Sequence, residues 1–148
     1  HGYFLTRYEA CVCEESYLYP GVLALLTACQ QKKLPMALVT NKPIAFVPAL
    51  LKNLGIGEFF EILLGGDSLS EKKPSALPLL HAARYLNIEP SQCLMVGDST
   101  ADRASAKKAA VPCVLLQQGY NQGKDLSQLH PEWLIEDIQS LLTKLRHA

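Results

Sequence analysis

Four short, almost wholly apolar runs recur along this chain: Met36–Val39, Ile62–Leu64, Leu94–Val96 and Val111–Leu116. Between them lie stretches with helical spacing of apolar residues, predicted over Val22–Gln31, about Ile44–Asn53 (stopped by Gly55), about Ala76–Leu86, Thr100–Ala109 and Ile135–Leu145. Strands with no polar alternation are buried on both faces, which is the signature of a parallel sheet covered by helices on each side. Right-handed crossovers then make the fold a doubly wound α/β layer. Ahead of this pattern, Phe4, Tyr8, Cys11 and Val12 share one face of a predicted amphipathic helix from about Tyr3 to Tyr17.

The bulk chemistry narrows what such a layer can do. Basic and acidic residues balance at 14 each, so the chain lacks the basic excess that nucleic acid or an anionic membrane surface demands. Its longest apolar runs, such as Leu23–Leu26 and Val111–Leu116, are far too short to span a bilayer. Neither nucleic acid nor a membrane is therefore expected as a partner. Cysteines at 11, 13, 29, 93 and 113 are odd in number and form no C-x-x-C pair, which points to reduced thiols and a cytoplasmic location. The histidines at 1, 81, 130 and 147 share no motif spacing, and Trp133 reads as a packing residue.

In an open parallel sheet, ligands gather at the carboxyl ends of the strands. The residues that stand there are informative: Thr40 and Asn41, then Asp67, then Asp98, Ser99 and Asp102, then the stretch from Gln117 to Asn121. Lys73 lies in the connection leading to the strand at Leu94. Asp98 and Asp102, four apart across a strand end and a first helical turn, face the same way. Such a pair suits a hard cation like Mg2+, which takes one or two carboxylates and keeps waters and phosphate oxygens. Aspartate at a helix start also serves as a cap, and that simpler role stays open. Thr40 and Asn41 can donate to a phosphoryl oxygen, and Lys73 or its neighbour Lys72 offers a positive charge. Asp67 after two glycines reads first as a turn residue. Together these make a phosphate and magnesium rim without a nucleophile.

The order of these pieces resembles the haloacid dehalogenase (HAD) superfamily of phosphohydrolases. Leu38-Val39-Thr40-Asn41-Lys42-Pro43 looks like its second motif, Lys72-Lys73-Pro74 its third, and Val96-Gly97-Asp98-Ser99-Thr100-Ala101-Asp102 its fourth. Leu18-Tyr19-Pro20-Gly21-Val22, Gly65-Gly66-Asp67 and Gly119-Tyr120-Asn121-Gln122-Gly123 resemble the phosphoglycolate phosphatase type. The resemblance implies that Thr40, Asn41 and Lys73 bind the phosphoryl group, with Thr40 and Lys73 acting in catalysis. Asp98 is implied as a direct Mg2+ ligand. Asp102 is implied to support the metal through water or to hold neighbouring groups. The implied reaction is hydrolysis of a small phosphorylated metabolite, 2-phosphoglycolate being favoured, through an aspartyl-phosphate.

The superfamily's first motif, an Asp-x-Asp pair on the central strand, has no counterpart: no Asp-x-Asp occurs, and the first aspartate is Asp67. Ala76 and Ala110 also depart from the pattern, where proline and glycine are common. The expected fold is therefore a HAD-like α/β core (18–148) lacking its first, central strand, preceded by a remnant of the helical cap (1–17). The absent motif and the start at His1 predict a piece of a longer enzyme that is inactive alone. A sheet with an open slot would favour self-association. Two alternatives are a non-catalytic phosphate- or partner-binding module and a phosphatase for another small ester.

Overall fold

The computed structural model describes residues 2–6, 21–117 and 126–146. Six parallel strands form one sheet: β1 (Gly2–Thr6), β2 (Met36–Val39), β3 (Ile62–Leu64), β4 (Cys93–Gly97), β5 (Cys113–Leu116) and β6 (Trp133–Ile135). Their order is β3-β2-β1-β4-β5-β6, so the chain winds outward to one side of β1 and then to the other. The helices are α1 (Val22–Gln31), α2 (Val47–Leu54), α3 (Leu77–Leu86), α4 (Thr100–Ala109) and α5 (Ile138–Arg146). The doubly wound parallel layer expected from the apolar runs is present.

The two faces carry separate cores. Met36 and Leu38 of β2, Val96 of β4 and Val114 and Leu116 of β5 pack with α1, α2 and α5. The alternate residues Ala37, Val39, Met95, Cys113 and Leu115 pack with α3 and α4 through Leu79, Ala82, Ala83, Ala106 and Ala109. Period-two alternation thus sends successive apolar side chains to opposite helical layers, which is why neither side of these strands could be polar.

Two expectations need correction. Residues 2–6 are not helical: they form the central strand, paired with β2 on one side (Phe4 opposite Ala37, Thr6 opposite Val39) and with β4 on the other (Leu5 opposite Val96). The slot expected to stand open is therefore filled by this chain, and residues 2–6 belong to the sheet rather than to a cap remnant. The physical reason is that β2 and β4 each present a row of unpaired backbone groups along that slot. Tyr-Phe-Leu-Thr has the bulky and β-branched side chains that a strand accepts. Positions 7–20, which hold the rest of the predicted helix, Cys11, Cys13 and the Leu18-Tyr19-Pro20 turn, lie outside the described residues, as do 118–125 with the Gly119–Gly123 stretch.

The second correction concerns the chain's end. Trp133–Ile135 pairs with β5 as a sixth strand, and the closing helix begins only at Ile138. As an edge strand, β6 leaves Trp133 about half exposed (48%) rather than packed away. Elsewhere the differences are small. The helix predicted from Ile44 opens as a 3-10 turn over Ile44–Phe46 before α2, and the Asp67 carboxylate accepts the Ile44 N–H at its start.

Candidate functional site

The register brings the rim together. Thr6 ends β1 opposite Val39, the residue before Thr40, while Leu5 lies opposite Val96, two residues before Asp98. Thr40 and Asp98 therefore flank the carboxyl end of the central strand, the place where the strand order reverses and an open α/β sheet forms its crevice.

Thr40 is buried, and its hydroxyl oxygen accepts the Lys42 N–H at 3.2 Å. The loop that follows is fixed by Gly65-Gly66-Asp67. The Gly66 N–H donates to the Lys42 carbonyl at 2.6 Å, and the Asp67 carboxylate accepts the Ile44 N–H at 2.8 Å. A Cβ on Gly66 would collide with the Asn41 carbonyl, so the two backbones approach this closely only because the residue is glycine. Asp67 is thus a loop-holding residue, in line with its reading as a turn residue.

Of the two adjacent lysines, Lys73 is buried at 5% exposure and Lys72 is exposed. The Lys73 ammonium donates to the Val39 carbonyl at 3.1 Å and to Asp102 Oδ1 at 2.7 Å. Its backbone is gripped by Asn41, whose Oδ1 accepts the Lys73 N–H at 3.1 Å and whose Nδ2 donates to the Lys73 carbonyl at 2.9 Å. The resemblance implies Asn41 on the phosphoryl group, and its carboxamide also makes these two bonds to the Lys73 segment.

Asp102 is the hub of the site. Its Oδ2 accepts the N–H groups of Asp98 (2.9 Å) and Ser99 (3.2 Å), while Ser99 Oγ accepts the Asp102 N–H at 3.1 Å. This is a reciprocal capping box at the start of α4, and it satisfies backbone donors that a helix terminus otherwise leaves orphaned. Gly97 permits it: a Cβ there would lie 2.6 Å from Asp102 Cγ. The simpler role left open for these aspartates is present in Asp102, which also pairs with Lys73. Both its oxygens are engaged with neighbouring groups. Asp98 is buried at 3% exposure beside it.

Among the described residues no three His, Cys, Asp or Glu side chains form a metal cluster. The rim's two carboxylates are nevertheless the oxygen donors that Mg2+ prefers, and that ion needs only one or two of them. The donor chemistry of Asp98 and Asp102 fits that ion.

Sequence reasoning missed Ser105 and Arg103. Ser105 Oγ donates to the Ser75 carbonyl at 2.6 Å and ties the Lys73 segment to α4. Arg103 donates to the carbonyls of Leu129 and His130, both at 3.0 Å, and pairs with Glu132 at 3.4 Å. The carboxylate of Glu132 also accepts the Cys113 N–H at 2.9 Å, which fixes the return from β5 to β6. No local sequence signal announces either residue, because their partners lie about thirty positions away. The buried thiols stand apart from the rim. Burial pushes Cys29 and Cys93 up to about 11 and Cys113 up to about 12, the Asp102 charge adding to the last.

The family model for haloacid dehalogenase-like hydrolases matches residues 3–110. The chain belongs to that family. Among similar HAD proteins, the phosphoglycolate phosphatase of Colwellia psychrerythraea is 41% identical over 143 residues, covering 97% of this chain and 63% of the relative. That of Escherichia coli K12 is 44% identical over 140 residues, covering 94% and 56%. A crystal structure of a predicted phosphoglycolate phosphatase from Haemophilus somnus matches with a TM-score of 0.85 and 36% identity over 93% of this chain and 61% of that one. CbbY from Rhodobacter sphaeroides in complex with phosphate, at 24% identity and a TM-score of 0.77, shares the HAD fold. The chain spans about three fifths of the length of the curated relatives it matches.

Proposed function

We propose that these 148 residues are the phosphoryl- and metal-positioning part of a magnesium-dependent phosphomonoester hydrolase whose favoured substrate is 2-phosphoglycolate. One observation carries the reading. Thr40 and Asp98 flank the carboxyl end of the central strand, with the buried Lys73–Asp102 pair directly behind them. The resemblance to enzymes named phosphoglycolate phosphatase supports the choice of substrate.

In this reading Thr40 and its loop bind the transferring phosphoryl group through hydroxyl and backbone donors. The Lys73 ammonium stabilises the charge that spreads over the phosphoryl oxygens in a loose transition state. Asp98 would hold Mg2+, which when bound neutralises phosphate charge. The nucleophile is a carboxylate supplied from outside these residues. It attacks phosphorus, the ester oxygen leaves and takes up a proton, and water then cleaves the aspartyl-phosphate to release inorganic phosphate. These residues alone are accordingly inactive, and the working protein acts on a small phosphorylated metabolite in the cytoplasm.

The test is a fusion of this chain to an N-terminal segment that carries an Asp-x-Asp pair, the motif that the resemblance places on the central strand. Magnesium-dependent phosphate release from 2-phosphoglycolate is expected to exceed release from glucose 6-phosphate, AMP and pyrophosphate, and to vanish in Asp98→Asn. Release that favours another ester would refute the substrate, and none from any ester would refute the reading. A second reading, a non-catalytic phosphate-binding module, is favoured by the filled central slot, since Gly2–Thr6 brings no carboxylate to the crevice. Phosphate binding without turnover by the fusion is its expected outcome.

A further inference from the structure

We infer that Asn41 is a positioning residue: its carboxamide clasps the peptide of Lys73 and so aims the buried ammonium into the site. The inference rests on the phosphatase reading for its purpose but not for its geometry. An asparagine side chain carries one acceptor and a donor pair in a plane, as a peptide does. Here Oδ1 takes the Lys73 N–H and Nδ2 meets the Lys73 carbonyl, so the side chain pairs with residue 73 as a neighbouring strand would. Lys73 belongs to a loop, exposed at Lys72 and Pro74 on either side, and among the described residues no strand pairs with it.

The far end of the same residue reaches Val39 and Asp102. Val39 is two residues before Asn41, so Lys73 is grasped at both ends by the tip of β2 and its loop. The loop is fixed in turn by Gly66 and Asp67. Ser105 adds a separate tie two residues further on, at the Ser75 carbonyl. The carboxamide therefore acts on phosphate through Lys73 rather than by touching it, a different assignment from direct phosphoryl binding.

The experiment reads Lys73 itself. Lysine reactivity is measured by reductive methylation with isotopic formaldehyde and peptide mass spectrometry, with exposed Lys72 as internal reference. Alkylation of the buried thiols Cys29 and Cys113 monitors opening of the whole fold. In the intact chain Lys73 labels far more slowly than Lys72. Asn41→Ala, which removes both bonds, is expected to raise the Lys73 rate about 5–30-fold with thiol alkylation unchanged. Asn41→Asp keeps the acceptor for the Lys73 N–H and loses the donor, and is expected to give a smaller rise. It also decides the matter if Asn41→Ala does not fold.

An unchanged Lys73 rate in both variants would overturn the inference, as would a rise matched by the thiols. A parallel titration with inorganic phosphate and Mg2+ separates the two claims. If Asn41→Ala abolishes phosphate binding while Lys73 labelling stays slow, Asn41 is a direct ligand and the clasp is refuted. Failure of the unsubstituted chain to take up phosphate would count against the phosphatase reading and leave the labelling result to decide the clasp.

Discussion

Removing Asp102 is expected to damage this chain more than removing the lysine it pairs with, and the structure says why. Asp102→Ala leaves the Lys73 ammonium, 5% exposed, with only the Val39 carbonyl at 3.1 Å. It also takes away the acceptor of the Asp98 and Ser99 N–H groups. A buried charge stripped of its partner costs about 3–5 kcal/mol, and the lost cap adds about 1. Lys73→Met deletes the charge but leaves the Asp102 carboxylate its two backbone donors, so the expected loss is smaller, about 1–3 kcal/mol. In the double variant no unpaired charge remains, and its loss should fall about 2–4 kcal/mol short of the sum of the singles. Urea unfolding monitored by circular dichroism measures all three against the unsubstituted chain, provided the m-value is shared. Additive losses, or a single loss for Asp102→Ala below about 1 kcal/mol, would refute the hub.

Gly97→Ala forces a Cβ against Asp102 and is expected to destabilise by about 1–3 kcal/mol in the same urea assay. The thiols make a pH prediction. Cys29, Cys93 and Cys113 stay neutral in the fold up to about 11, 11 and 12, while unfolded thiols ionise from about 9. Their contribution is complete below pH 9 and drains away as pH rises towards 11–12, so unfolding midpoints should fall between pH 8 and 10.5, and fall less in Cys113→Ala. Arg103→Ala should release the 129–132 segment, seen as faster proteolytic nicking there with a loss of about 1–2 kcal/mol.

The sheet and its helices were largely legible because burial on both faces leaves no room for polar residues, and an apolar run between turn signals marks its own ends. Met36–Val39, Ile62–Leu64, Val22–Gln31 and Thr100–Ala109 fall where the pattern placed them. Gly2–Thr6 did not, since five residues satisfy helical and strand spacing alike, and its strand is dictated by two distant edges. Trp133–Ile135 was lost for a related reason: three residues, two of them partly in solvent, pair only with β5 and carry no period of their own.

In the site, residue types and positions were readable, and connections were not. Lys73 and Lys72 are chemically alike, and only the fold buries one of them. Asn41 offered donors suited to phosphate, and its bonds to the backbone of residue 73, 32 positions away, left no local trace. The bonds of Asp102 to Lys73, Asp98 and Ser99 were not readable, since the Lys73 partner lies 29 positions away. Local chemistry narrows a side chain to a few roles; long-range pairing selects among them.

In the proposed function this rim positions phosphate and metal but carries no nucleophile. The measurement is magnesium-dependent phosphate release from 2-phosphoglycolate by the 148-residue chain itself, beside an Asp98→Asn control. No release above the control is expected. Release that disappears in the control would contradict it, and would mean that a nucleophile stands among these residues.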